Sequence, residues 1–289
     1  MPHDDAALPH PATRRVVAHR HGPGGPPCTG GDAAPDTPGH RETVAEETPV
    51  ALTYNGRSFA VMMASPADLT DFALGFSLSE GVIERAGEFL SVTIVPLARG
   101  IELSVTVTEN RALALRARHR ALAGRTGCGL CGVDSIAEAL RPIPRLATAT
   151  RIAASAVDRA VAAFPADLPL GRLTGATHGA AFADLTGAIR LTREDVGRHN
   201  ALDKLIGALA AAGIDPASGF VVVSSRCSYE MVHKTAAAGI PLVASVSAPT
   251  GLAVELAEKV GVCLAAYARD GRFTVYAGCD RIDEEPKSS

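Results

Sequence analysis

Between residues 175 and 277 short apolar runs alternate with longer amphipathic stretches, and no other feature limits the fold so strongly. The runs predict strands at 175–182, 188–192, 220–224, 242–247, 262–268 and 273–277. Helices are predicted at 196–212, 229–238 and 252–260. Strands separated by helices are crossover units, so the expected architecture is a largely parallel sheet covered on both faces. Thr186-Gly187 and Asp270-Gly271 are turn signals, and the last hairpin makes the sheet mixed.

The preceding half reads differently. Residues 1–42 concentrate Pro and Gly, as in Gly22-Pro23-Gly24-Gly25-Pro26-Pro27, and are expected to form a flexible tail in which Cys28 is an incidental thiol. From Thr43 the composition changes. Residues 50–54 and 57–63 flank Asn55-Gly56, a hairpin signal. Ser65-Pro66-Ala67-Asp68 predicts a helix start with Ser65 as N-cap, and Gly81 predicts its end. Strands are expected at 91–97 and 101–108, and a basic helix at 110–123. That basic run has two readings: a solvated face, or a surface turned to an anion or a partner. Arg141-Pro142-Ile143-Pro144 marks a boundary, and a short helix is expected at 156–164. The predicted organisation is a tail (1–42), a smaller α+β domain (43–148) and the alternating α/β domain (149–289).

Composition narrows the function. The 289 residues carry a formal net charge of −3, so no global nucleic-acid field is present and nucleic acid is not an expected partner. With 47% hydrophobic residues and no Trp, the core must be built from Ala, Val and Leu. No apolar run reaches the ~20 residues of a membrane span. The first residues lack the pattern of a secretory signal, so a cytoplasmic location with reduced thiols is expected.

Two constellations carry chemistry. The first is Gly124-Arg125-Thr126-Gly127-Cys128-Gly129-Leu130-Cys131-Gly132, a Cys-x-x-Cys pair in a glycine-rich loop ahead of a helical run at 133–140. Glycines allow sharp bends, and a helix N-terminus favours thiolate over thiol. The pair fits a redox couple, half a zinc site or a sulfur handler. A zinc deaminase would add H-x-E to P-C-x-x-C. Here His40-Arg41-Glu42 lies at the edge of the tail and Gly127 precedes Cys128, so a zinc site lacks a ligand and no metal is expected. A thioredoxin-like site fits poorly, because the pair does not follow the first strand of a βαβ unit.

The second constellation lies where ligands of open α/β sheets bind, beyond the carboxyl ends of the strands. Ser224-Ser225-Arg226, the stretch from Ser245 to Gly251, and Ala268-Arg269-Asp270-Gly271-Arg272 all fall at such ends. Hydroxyls, helix N-termini and arginines on one rim suit an anion, plausibly phosphate. Arg193-Glu194-Asp195-Val196-Gly197-Arg198-His199-Asn200 opens a helix, and Glu194 and Asp195 suit its positive end. His178 is either a buried, hydrogen-bonded residue or a ligand contact.

Several ordered segments resemble the FdhD family of formate dehydrogenase accessory sulfurtransferases. They are Tyr54-Asn55-Gly56, Met62-Met63-Ala64-Ser65-Pro66, the run from Phe72 to Gly81, the cysteine loop, Thr177-His178, and the charged stretch from Glu194 to His199. Ala201-Leu202-Asp203-Lys204, Ser224-Ser225-Arg226, Ser228-Tyr229-Glu230-Met231-Val232 and Leu252-Ala253-Val254-Glu255 continue the match. The resemblance implies a C-terminal cytidine-deaminase-like α/β/α sandwich without zinc, a smaller α+β domain before it, and a homodimer. It implies a sulfur carrier: a cysteine desulfurase passes persulfide sulfur to Cys128, with Cys131 as its neighbour. The sulfur then goes to the molybdenum of Mo-bis-molybdopterin guanine dinucleotide, destined for formate dehydrogenase. The family's guanine-dinucleotide contact maps onto Tyr267, Ala268, Arg269, Asp270, Gly271 and Arg272, for which GDP is a mimic. Tyr267 stands where the family usually has Phe. His178 and Arg226 are further candidates at that rim, and Cys227 receives no role. The alternative is a chaperone that binds the cofactor without handling sulfur.

Overall fold

The structure is a computed structural model that describes residues 11–18, 40–123 and 142–283. The cysteine loop with Cys128 and Cys131, and Cys28 of the tail, lie outside the described residues.

Strand β1 (Thr13–Ala18) pairs antiparallel with β2 (His40–Ala45). The segment expected to be an unstructured tail thus contributes a strand, anchored by Arg14, which donates to both carboxylate oxygens of Glu46 at 2.7 and 2.9 Å. Strands β3 (Thr48–Tyr54), β4 (Arg57–Ala64), β5 (Phe89–Leu97) and β6 (Gly100–Val107) form a four-stranded sheet in the order β4-β3-β6-β5. Asn55 and Gly56 both have positive φ, 46° and 77°, which the tight β3–β4 turn requires. Helix α1 (Leu69–Ser79) and helix α2 (Glu109–Ala123) accompany this sheet. Val50 and Leu52 of β3, Leu103 and Val105 of β6, and Phe72 and Phe76 of α1 make the core of the α+β half.

Strand β7 (Ile152–Ala153), helix α3 (Ala154–Ala163) and short helix α4 (Pro169–Thr174) lead into the second half. There follow β8 (His178–Asp184), β9 (Ile189–Asp195), α5 (Arg198–Ala212), β10 (Gly219–Val223), α6 (Tyr229–Ala237) and β11 (Leu242–Ser245). Then come α7 (Gly251–Val260), β12 (Cys263–Arg269), β13 (Arg272–Ala277) and β14 (Ile282–Asp283), the last pairing with β7. Six strands form one mixed sheet in the order β13-β12-β11-β10-β8-β9, in which β10, β11 and β12 are parallel. Alternate residues point to opposite faces. Phe182, Val221, Val243 and Leu264 pack under α5, α6 and α7. Ala181, Val222, Ala244 and Cys263 pack against Val157, Ala160 and Phe164 on the α3 side. The three-layer α/β/α arrangement and the α+β half agree with the fold class expected from the sequence.

The two halves are fused through α1 and α5. A Cβ on Gly75 would lie 1.7 Å from the Asp203 carbonyl oxygen, and one on Gly207 would lie 1.9 Å from that of Asp71. The helices therefore touch backbone to backbone, which no larger residue permits. This junction also corrects the expected start of α1. Ser65 does not cap the helix, which begins at Leu69 after Asp68 in a left-handed conformation (φ 52°). Ser65 is instead fully buried in the junction. Its N–H donates to Asp195 Oδ2 (2.9 Å), its hydroxyl oxygen accepts from the Val196 N–H (3.1 Å), and its carbonyl accepts from Lys204 Nζ (2.9 Å).

Replacing Gly207 by Val is expected to lower unfolding free energy by at least ~3 kcal/mol, or to abolish soluble expression, because backbone must move to admit the side chain. Denaturant titration against wild type checks this. The same substitution at Gly56, whose added Cβ meets no atom within 4 Å, is expected to cost only the strain of its positive φ.

Candidate functional site

The carboxyl ends of β10, β11 and β12 share one rim of the large sheet. Because β8 runs antiparallel to β10, with Ala180 opposite Val223, the start of β8 at His178 lies on the same rim. His178 in turn faces Asp195 at the end of β9, three residues before α5 begins. Topology therefore brings the first turns of α5, α6 and α7 to the rim, where helix N–H groups collect.

Side chains and backbone stitch this rim into one strip. The Gly179 N–H donates to Ser224 Oγ (2.9 Å) and the Ser224 N–H to the Gly179 carbonyl (3.1 Å). Ser245 Oγ donates to the Ser225 carbonyl at 2.7 Å. The Cys227 N–H donates to the Ala248 carbonyl (3.1 Å), and the Thr250 N–H to the Cys227 carbonyl (3.0 Å). The Tyr267 N–H donates to the Ser247 carbonyl (3.1 Å), fastening the β12–β13 hairpin to the loop before α7.

The hairpin has unusual backbone geometry. Asp270 (φ 53°) and Gly271 (φ 69°) form its two-residue turn, with Arg269 paired to Arg272 across it. Tyr267 is also left-handed (φ 53°), at an irregularity in the β12–β13 register. That conformation is costly for a residue with a Cβ. Tyr267 is 43% exposed while Ala268 is buried. Arg269, Asp270, Gly271 and Arg272 are all exposed, as is Arg226 at the end of β10. The structure thus gathers the expected rim residues Tyr267 to Arg272, Arg226 and His178 along one edge of the sheet.

His178 is partly buried, and burial first, then the nearby Arg198 guanidinium, lower its pKa against the opposing pull of Asp195. His199 is shifted down too, by burial, with Glu230 opposing and Arg198 reinforcing. Its Nε2 lies 2.8 Å from Glu230 Oε2, joining the first turns of α5 and α6.

Other residues of the charged stretch serve the scaffold. Glu194 was expected at the start of α5, but it caps α4 instead: its carboxylate accepts from the N–H groups of Leu170 (2.9 Å) and Gly171 (2.6 Å) and from Thr177 Oγ1 (2.9 Å). Asp195 and Lys204 form an ion pair at 2.7 Å with both side chains inaccessible. Lys234 of α6 reaches both oxygens of Asp203 (3.0 Å each), Ser79 Oγ (3.0 Å) and Glu80 Oε1 (2.8 Å). Burial alone would discharge Lys234, but Asp203 and Glu80 outweigh it and raise its pKa. The ordering by sequence alone could not show that these polar residues are interior, because a charged residue on a helix is usually exposed. In the basic helix, Arg111 takes neither expected role. It donates to the carbonyls of Val82 (2.9 Å) and Gly81 (3.1 Å) and pairs with Glu84, closing the chain after α1.

Burial pushes the thiols of Cys227 and Cys263 up to about 12, so both stay protonated and unreactive. Cys279 is the exposed cysteine among the described residues. Among those residues no group of three or more His, Cys, Asp or Glu is placed to hold a metal ion, and no helix is long and apolar enough to cross a membrane.

Two outcomes are expected from this geometry. Lys234→Met, which strands Asp203 without its cation, is expected to cost ~3–5 kcal/mol, whereas Lys234→Met with Asp203→Leu recovers most of it. Denaturant titrations of wild type, the single variant and the double variant check both values. Because the folded pKa of His178 lies below the unfolded value of ~6.5, its contribution to stability is present above that pH and is lost as pH falls through the folded pKa. The melting temperature of His178→Gln is therefore expected to fall less steeply than wild type as pH is lowered from 7 to 5, measured by calorimetry.

Comparison with known proteins follows the same lines. The sequence profile of the FdhD/NarQ family matches residues 45–283. The sulfur carrier protein FdhD of Bordetella petrii is 52% identical, over 85% of this chain and 88% of that protein. Its counterpart in Xanthomonas campestris pv. campestris is 51% identical, over 84% of this chain and 86% of that protein. A crystal structure described as a formate dehydrogenase accessory protein from Desulfotalea psychrophila superposes with a TM-score of 0.73 at 27% identity, covering 94% of this chain and all of that one. The chain belongs to the FdhD/NarQ family.

Proposed function

We propose that this protein is a cytoplasmic sulfur carrier in formate dehydrogenase maturation, working through a cysteine persulfide. Its Cys128 thiolate attacks the outer sulfur of a cysteine desulfurase persulfide, and the desulfurase thiolate leaves. Cys128 then carries the sulfur to the molybdenum of Mo-bis-molybdopterin guanine dinucleotide, with Cys131 beside it; delivery as sulfide takes two electrons, which a thiol reductant supplies as it becomes a disulfide. The cargo is held through its guanine-dinucleotide arms at the rim, by Tyr267 and by Arg269 and Arg272 on either side of the Asp270-Gly271 turn. Arg226 and His178 extend the same surface. The working unit is a homodimer.

The observation that carries this reading is the β12–β13 hairpin. Two exposed arginines and an exposed aromatic ring, fixed by a strained backbone and tied to the loop ahead of α7, suit stacking on a base and clamping of phosphates. Two further points support it. The described thiols Cys227 and Cys263 are buried and protonated, so neither competes as sulfur acceptor. The chain that follows the cysteine loop enters along α7: Pro142 and Ile143 line a 210 Å³ cavity with Tyr229, Leu252 and Leu256. Cys131 is eleven residues before Pro142. Covalent geometry allows a span of at most ~40 Å over that length, against ~15 Å for a helix the size of α7.

Incubation with a cysteine desulfurase and cysteine is expected to add one sulfur atom to Cys128, read by mass mapping of peptides. Cys279→Ser should retain the modification and Cys128→Ala should lose it. Arg272→Ala is expected to keep the persulfide while losing GDP binding. Full formate dehydrogenase activity in cells carrying Cys128→Ala, together with its loss in Arg272→Ala, would replace the carrier by a cofactor-binding chaperone.

A further inference from the structure

We propose that Arg198, with His178 and Ser228, forms a second oxyanion site on the rim, between the first turns of α5 and α6, that binds a phosphate or diphosphate group. Two buried donors motivate it. Among the described residues, Arg198 Nε and Ser228 Oγ are shielded from solvent and have no hydrogen-bond partner, and His199 Nε2 beside them is in the same position. A buried guanidinium nitrogen and a buried hydroxyl left unpaired each cost free energy, so such groups ordinarily mark a bound water, ion or ligand.

The surroundings specify what would satisfy them. Ser228 occupies the N-cap position of α6, and serine there normally accepts from a helix N–H, yet its side chain makes no such bond. Thr250 at the start of α7 does make it, to the Ala253 N–H. Gly197 at the start of α5 has no side chain to offer. The first turns of α5 and α6 therefore both keep their N–H groups uncapped, while α7, beside the hairpin, does not. His199 Nε2 and Glu230 Oε2 lie 2.8 Å apart, which places these two first turns side by side. Two acidic residues nearby in sequence are already engaged: Asp195 with Lys204 and Glu194 with the start of α4. Among the described residues Arg198 thus pairs with no carboxylate, and it lies in the first turn of a helix whose N–H groups are uncapped. Arginine forks onto phosphate oxygens, and helix N-termini favour the same charge. His178 sits close enough to Arg198 to feel its charge, and an anion between them would relieve that repulsion.

This site extends the cofactor-binding reading and rests on it for the natural source of the oxyanion, the diphosphate of a nucleotide cargo. Its chemistry can be tested without the cargo. Calorimetric titration of the full-length protein with inorganic pyrophosphate is expected to show binding that weakens at least tenfold in Arg198→Gln and recovers in part in Arg198→Lys. Pyrophosphate is also expected to raise the imidazole pKa of His178, read by NMR titration in wild type but not in Arg198→Gln. An unchanged melting curve for Arg198→Gln establishes that the variant is folded. Wild-type affinity in Arg198→Gln, or a His178 titration indifferent to pyrophosphate, overturns the proposal. GDP separates the two readings. Loss of GDP binding in Arg272→Gln with no change in Arg198→Gln leaves the hairpin as the nucleotide site and ends the second one. Pyrophosphate binding that depends on Arg198, with no GDP binding in wild type, supports the oxyanion site and removes the nucleotide reading.

Discussion

The backbone-to-backbone crossing of α1 and α5 at Gly75 and Gly207 is the constraint on which the rest of the molecule depends. Close approach brings the ends of both helices into a volume that excludes water. Polar groups there must then find partners inside the protein. They do so in two clusters. Ser65, Asp195, Asn200 and Lys204 form one, at the rim end of α5. Ser79, Glu80, Asp203 and Lys234 form the other and add α6 to the joint. Such buried pairs add little net stability compared with an apolar core, but they fix one arrangement, because any slip leaves a buried charge unpaired.

The rim at the carboxyl ends of the strands inherits that rigidity. Helix α5 is clamped by α1 below and by Lys234 from α6, so the first turns of α5 and α6 are set relative to each other before any ligand arrives. The backbone ties among the loops after β10 and β11 and the β12–β13 hairpin extend this order along the rim. On the proposed reading the rim meets a large anion, and groups fixed in advance lose less freedom on binding. The left-handed Tyr267 fits the same logic: backbone strain is retained where a ring must be presented to solvent.

Much of the fold was legible in the sequence. The alternation of strands and helices over 178–277, the Asn55-Gly56 and Asp270-Gly271 turns and the α+β half all appear where local pattern placed them. The misreadings share a cause. Ser65-Pro66-Ala67-Asp68 carries a helix-start pattern, yet Ser65 is drawn into a contact with residues 195, 196 and 204. Glu194 sits just ahead of one helix and caps another. Arg111 belongs to a basic run but binds backbone carbonyls across the fold. In each case a local signal was outweighed by a partner distant in sequence. Of the proposed site, the position of the hairpin arginines at the rim was readable because it follows from strand ends alone. The orphaned donors Arg198 Nε and Ser228 Oγ were not, because an unsatisfied group is defined by its neighbours.

By itself the sequence determined the fold class, the segments that fall at the carboxyl ends of the strands, and the family, since periodicity, turn chemistry and ordered motifs are local and additive along the chain. Tertiary structure alone decided which motif residues are scaffold and which face solvent. Asp203, Lys204 and Lys234 resemble surface charges in one dimension and are interior in three. The reason is physical: burial and charge pairing depend on which helices lie together, and here two glycines more than a hundred residues apart set that.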